Sequence, residues 1–367
     1  MSDRDLCWLA LHLLFHGPSA AARRLLGRFP DVAGVFRAGR ADFDGLRLDP
    51  GAVEAIVSGR ALETAARELE KTAGKAYTLL TLGDPGYPGR LKEIFDPPFV
   101  LFCQGDPEAL GIPAVAVVGA RRPTPYGRAV AERLAADLAG RGCVVVSGLA
   151  AGIDACAHRG ALRQGRTVAM LGSGLDVIYP WENRALARDI AGRGAVVSEY
   201  AFGTPPLAEH FPVRNRIISG LALGLVVVEA ARKSGSLITA HLALSQDREV
   251  MAVPGNVTSE LSVGPNALIR EGARPVGSWE DVAEALPSPW GEILLAREGG
   301  KEENSAASLS RDERRLLDEL AVDASTPVDE LAERTGLAVP VLLALLLGLE
   351  LKGAVVQRPG KEFQRRM

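Results

Sequence analysis

Between residues 113 and 286 short apolar runs recur, and each is followed by an amphipathic stretch. The runs are Val115–Gly119, Cys143–Ser147, Thr167–Leu171, Ala195–Ser198, Leu225–Glu229 and Val250–Val253. None alternates apolar with polar residues, so both faces of each run must be buried. That is the pattern of parallel strands covered by helices on two sides. Helical spacing fills the intervals: Tyr126–Ala139, Gly152–Arg163, Asn183–Ala191, Pro212–Leu221, Ser236–Gln246 and Pro265–Glu271. Alternating strand and helix with short links predicts an α/β chain, a Rossmann-like doubly wound, mostly parallel sheet.

The flanks differ from this centre, as expected in a chain of 367 residues, more than one core usually organises. Residues 1–75 carry helical periodicity through Leu6–Phe15, Ala20–Phe29 and Val53–Leu69, punctuated by Gly17-Pro18 and Phe29-Pro30. The first apolar run follows acidic residues and lacks a small-residue cleavage site, so it reads as a core helix and not a signal peptide. Residues 76–112 are expected to be a connector packed on the core, with strands at Tyr77–Thr81 and Phe99–Phe102 around the turn Asp84–Pro88. Residues 287–309, with Pro287-Ser-Pro289, Gly299-Gly300 and a polar run, read as a flexible linker. Residues 310–367 read as a winged helix-turn-helix, with helices at Ser310–Leu320, Pro327–Thr335 and Val339–Leu351 and a wing around Arg358-Pro-Gly-Lys361. Ser310 and Glu313 there fit a capping box. The third helix is almost wholly Leu, Ala and Gly, which predicts packing or protein contact and not base reading. Any DNA affinity of this unit would come from Arg358, Lys361, Arg365 and Arg366. Val339–Leu351 is also too short to span a bilayer, and no membrane partner is expected.

In an open parallel sheet, ligands bind beyond the carboxyl ends of the strands. The loops at that edge hold Gly119, Ala120, Arg121 and Arg122; Gly148 and Gly152; Arg214, Asn215 and Arg216; and Lys233, Ser234, Gly235 and Ser236. Glycine turns and helix N-termini bring backbone N–H groups close to an anion, and guanidinium groups match phosphate. The expected ligand is a polyphosphate or a nucleic-acid backbone. A net charge of −3 argues against a uniformly basic binder but leaves room for a local cationic edge. No P-loop is present, and in Gly172-Ser-Gly174 the third glycine of a dinucleotide fingerprint is replaced by Val177, so a tight turn is expected there. Asp154 and His158, four apart, read as a structural bond under the glycine loop more readily than as an acid–base pair. Glu199 reads as the ion-pair partner of the arginines, with a catalytic base as the alternative. Cys7, Cys103, Cys143 and Cys156 form no ligand cluster and suit a reducing, cytoplasmic setting. No catalytic residue, metal or cofactor is predicted.

Several of these segments resemble the DNA-processing protein A (DprA/Smf) family. They are Val115-Ala-Val-Val-Gly-Ala-Arg-Arg-Pro-Thr-Pro-Tyr-Gly127, Val145-Val-Ser-Gly-Leu-Ala-Ala-Gly-Ile-Asp-Ala-Cys-Ala-His158 and Thr167–Pro180. Phe211-Pro-Val-Arg-Asn-Arg-Ile-Ile218, Val228–Ala240, Val253-Pro-Gly255 and Gly264–Ala273 follow in the family's order. The resemblance implies a non-enzymatic single-stranded DNA binder that protects incoming DNA and loads the RecA recombinase during natural transformation. It further implies a homodimer, with Leu268 and Ile269 near the dimer edge, and flanking modules of SAM- or helix-hairpin-like and winged-helix type. The DNA pocket it implies comprises Arg121, the Gly148–Gly152 loop, Arg214, Arg216 and Lys233–Ser236. Ala120 stands where the family has serine, so a hydroxyl contact is absent. Phe211, Tyr126 and Tyr200 are candidate stacking platforms. Two other functions compete: a nucleotide or phosphoribosyl hydrolase using Glu199 or Asp154–His158, and a recombinase adaptor with weak DNA binding.

Overall fold

Each of the six apolar runs forms a strand in the computed structural model, which describes residues 2–72, 74–296, 311–321, 324–351, 354–358 and 362–365. They are β3 (Ala114–Val118), β4 (Val144–Ser147), β5 (Thr167–Leu171), β6 (Ala195–Ser198), β7 (Gly224–Val227) and β8 (Glu249–Ala252). Every one is buried on both faces apart from Glu249. Three further strands complete a nine-stranded sheet: β1 (Thr78–Thr81), β2 (Val100–Gly105) and β9 (Arg274–Pro275). The order is β1-β2-β6-β5-β4-β3-β7-β8-β9. From β6 to β9 every pairing is parallel, whereas β2 joins β6 and β1 joins β2 antiparallel. Residues 76–112 are therefore more than a connector. They supply two strands of the main sheet, because Phe102 pairs with Ser198 and so caps the exposed edge of β6.

The helices form where the sequence supplies both a start signal and a buried stripe. Pro125–Gly140 opens on Thr124, whose side chain accepts from the Gly127 N–H, with Pro125 in its first turn. Its stripe Val130, Leu134 and Leu138 faces the sheet, and the next helix, Ile153–Gln164, packs beside it. Gly160 permits that approach, since a Cβ there would lie 2.1 Å from the Glu132 carbonyl oxygen. The N-terminal module contains five α-helices, Asp3–Phe15, Ala20–Arg28, Val32–Arg37, Pro50–Val57 and Arg60–Glu70. The periodic stretch Val53–Leu69 is two helices, broken where Gly59 turns with φ +79°. This module shares its core with β2, β5 and β6; Trp8 meets Phe99 with ring centroids 5.8 Å apart.

Part of the stretch expected as a linker is helical. Trp290–Ala296 is a helix beside Trp279–Ala285, with Leu294 buried in the core. Both helices are only seven residues long, too short for periodicity to declare them. The rest of the linker and the Ser310 cap lie outside the described residues. The C-terminal unit has helices Arg311–Asp318, Val328–Thr335 and Val339–Leu351 and strands β10 (Thr326–Pro327), β11 (Val355–Arg358) and β12 (Glu362–Arg365), ordered β10-β12-β11. Leu342, Leu346 and Leu349 are fully buried, so the third helix does serve packing. Arg365 donates to the Leu317 carbonyl and sits 3.7 Å from Asp318, and Arg358 donates to Gln364. Lys361 and Arg366 lie outside the described residues. Among the described residues no single helix is long and apolar enough to cross a membrane.

Candidate nucleic-acid interface

The chain reverses its direction of growth at β3. It adds β4, β5 and β6 on one side and β7, β8 and β9 on the other, so the loops after β3 and β7 diverge and leave a crevice between them. A cleft of about 720 Å³ opens there. Its walls are Gly119–Arg122, Ala150 and Asp154, the start of helix His210–Leu221, and Lys233–Ser236. Glu229, just past β7 and buried, fastens the two diverging loops. Its carboxylate accepts from the Thr124 N–H at 2.9 Å and the Thr124 hydroxyl at 2.5 Å. Gly127 is required by that fastener, since a Cβ would come within 2.4 Å of the Glu229 carboxyl carbon. Gly152 plays a similar part below the cleft. It adopts φ +85°, and a Cβ would meet the Ala120 carbonyl oxygen at 2.3 Å.

The cations divide into two kinds. Arg121, Arg122 and Lys233 are exposed at the cleft. Arg214 also lines it but is buried, with its guanidinium committed to the Gly148 carbonyl at 2.8 Å and to the Met170 carbonyl. Asp154 accepts from the N–H groups of Gly148 (3.1 Å) and Ala150 (3.4 Å). Burial pushes Arg214 down to about 10, opposed by the Asp154 charge, and burial likewise raises Asp154, opposed by Arg214. The two residues brace the glycine loop from beneath. Gly148 and Gly152 shape the cleft without lining it, and a Cβ on Gly148 would lie 2.7 Å from an Arg214 nitrogen. His158 does not pair with Asp154. It meets the Thr167 hydroxyl at 2.7 Å, and burial pushes its imidazole down to about 3.

Arg216 is not brought to the cleft. Two residues apart on one helix, Arg214 and Arg216 project about 200° apart. Arg216 points to the far side, where its guanidinium donates to both Glu199 oxygens at 2.7 and 2.8 Å and lies 3.1 Å from Asp96 Oδ2. Burial works against that cation, but the Glu199 charge outweighs it and holds the guanidinium above its usual pKa. With both oxygens occupied, Glu199 is the ion-pair partner expected of it. Asn215 lines the cleft and reaches the Gly235 carbonyl at 3.5 Å.

Phe211 lines the cleft with the Arg121 and Arg214 guanidinium carbons 5.7 and 5.8 Å from its ring centroid. Tyr179, which the sequence reading passed over, stands 5.7 Å from Phe211 and is 46% exposed. Its position in the loop after β5, at the ligand edge, was the available signal. Tyr126 and Tyr200 do not line this cleft; Tyr200 stacks on His210 at 4.1 Å on the other side. Leu268 is buried in the chain's own core and Ile269 is half-buried, while Ile238 and Leu244 on helix Gly235–Ser245 are exposed. No cluster of three or more metal-ligating side chains occurs among the described residues.

A family model described as DNA recombination-mediator protein A matches residues 78–287, and one described as the DprA winged helix domain matches residues 300–361. The chain belongs to the DNA-processing protein A family. Its relatives in this family include protein Smf of Escherichia coli, 42% identical over 75% of this chain and 74% of that one. The DNA processing protein DprA of Bacillus subtilis is 46% identical over 55% of this chain and 68% of its own length. The solved structure of Streptococcus pneumoniae DprA superposes with a TM-score of 0.68 at 35% identity, covering 78% of this chain and 99% of that one. The Helicobacter pylori DprA structure, a study of that protein's single-stranded DNA binding mode, gives a TM-score of 0.53 at 31% identity, covering 60% and 98%.

Proposed function

We propose that this chain binds single-stranded DNA in the switch-point cleft and acts as a recombination mediator that hands the strand to RecA during natural transformation. The carrying observation is the cleft's charge. Three exposed cations, Arg121, Arg122 and Lys233, ring backbone turns, while the only carboxylate lining it among the described residues, Asp154, is buried under Arg214. Phosphates would rest on Arg121, Arg122, Lys233 and the amides of Gly119–Ala120 and Ser234–Ser236. Phe211 and Tyr179 would take a base by stacking. The cation–backbone character predicts weak sequence preference, because phosphate contacts position a strand without reading it. Arg214 would act through the Gly148–Gly152 loop, and Arg216 through Glu199, neither as a phosphate contact. The chain would pair as a homodimer through exposed apolar residues at this end of the sheet, Ile238 and Leu244 with the half-buried Ile269, which would present two clefts to one strand. It assigns the chain no enzymatic step, no cofactor and a cytoplasmic setting. Competition between a labelled single strand and its duplex tests the binding claim, and RecA filament growth on strands coated with single-strand-binding protein tests the mediator claim. Equal affinity for duplex would refute the first. No acceleration of filament growth would refute the second.

A further inference from the structure

A second cavity, of about 560 Å³, lies across helix His210–Leu221 from the cleft, between that helix and the N-terminal helix Asp3–Phe15. The DNA reading leaves it unused. Three carboxylates, Asp96, Glu199 and Glu209, face one guanidinium, Arg216. Glu199 and Asp96 engage that guanidinium, whereas Glu209 is exposed at the mouth and forms no hydrogen bond or ion pair among the described residues. His12, which also lines the cavity, is 7% exposed, and its Nδ1 has no hydrogen-bond partner. Burial holds this imidazole below its usual pKa, in the neutral form, and its ring bonds to the Glu199 backbone. A neutral imidazole has one N–H and one lone pair. With the N–H given to the Glu199 carbonyl, Nδ1 is a buried acceptor that lacks a donor.

The two unmet groups of the cavity are thus acceptors, and Leu13, Pro18 and Val213 supply apolar wall. We propose that this cavity binds a linear alkyl diamine or polyamine, with one ammonium at His12 Nδ1 beside the Glu199 carboxylate, the methylenes along Leu13, Pro18 and Val213, and a second ammonium at Glu209. Each ammonium supplies up to three donors to an acceptor that has none, and the cation offsets the excess of carboxylate. This site is independent of the DNA cleft.

Titration calorimetry of the full chain with 1,4-diaminobutane, without DNA and at fixed ionic strength, tests it. One saturable site is expected, with 1-aminobutane binding roughly fivefold more weakly because it lacks the second ion pair. Glu209→Gln, an exposed change that spares the fold, should weaken the diamine by the same factor and leave 1-aminobutane unaffected. His12→Asn should weaken both amines. Absence of saturable binding, equal affinity for mono- and diamine, or a diamine affinity indifferent to Glu209→Gln would each overturn the assignment.

Discussion

Arg216→Met separates a structural arginine from a DNA-contacting one. Arg216 and Glu199 are each 4% exposed and joined through both carboxylate oxygens. Removing the cation leaves Glu199 buried and uncompensated, at a cost of about 3–5 kcal/mol. In a domain of this size each kcal/mol moves the midpoint by about 2–4 °C, so the variant should melt about 6–20 °C lower. The double change Glu199→Gln with Arg216→Met removes both charges and should recover most of that loss. Thermal unfolding followed by circular dichroism reads the stability, and fluorescence anisotropy across a salt series reads DNA binding on the same samples below their transitions. The salt slope should be unchanged in both variants. A variant that melts like the parent and has a shallower slope would refute the reasoning, because Arg216 would then be touching phosphate.

Three further outcomes follow from the geometry. His158 is held neutral by burial and pushed down to about 3, so an unfolded chain binds a proton below the ordinary 6.5 that the folded chain refuses. Its contribution is complete above 6.5 and falls as pH drops toward 3, by about 1.4 kcal/mol at pH 5.5; His158→Gln should flatten this part of the pH dependence of urea unfolding, and an unaltered dependence would contradict it. Gly127→Ala forces a methyl onto the Glu229 fastener, which should cost about 1–3 kcal/mol and weaken single-strand binding with it. Tyr179→Ala should lower affinity by about 1–3 kcal/mol if it stacks a base, with the salt slope retained, as stacking displaces no counterions.

The parallel core was readable because strands buried on both faces leave unbroken apolar runs, and their ends then mark the ligand edge. Arg121, Arg122 and Lys233 could be placed because each follows a strand directly in a short loop. Arg216 could not be placed by loop membership, since it sits inside a helix where direction depends on register; helical spacing against Arg214 would have set the two apart. The pairing of β2 with β6 also escaped the sequence, because an edge strand's own residues do not name its partner. Asp154 and His158 share helical spacing, but Gly148 and Thr167 offer each a nearer partner. The helices Trp279–Ala285 and Trp290–Ala296 were hidden by their length and by Pro287 and Pro289 between them.

The central claim is that the cleft grips consecutive phosphates of an unpaired strand, and the salt dependence of binding measures it most directly. Each phosphate neutralised on a single strand contributes a slope of about −0.7 in log affinity against log salt, so the three exposed cations contribute about −2.1 together. Arg121→Ala and Lys233→Ala should each make the slope shallower by about 0.7 and weaken binding across all sequences alike. Unchanged affinity and an unchanged slope in both variants would place the DNA somewhere other than this cleft.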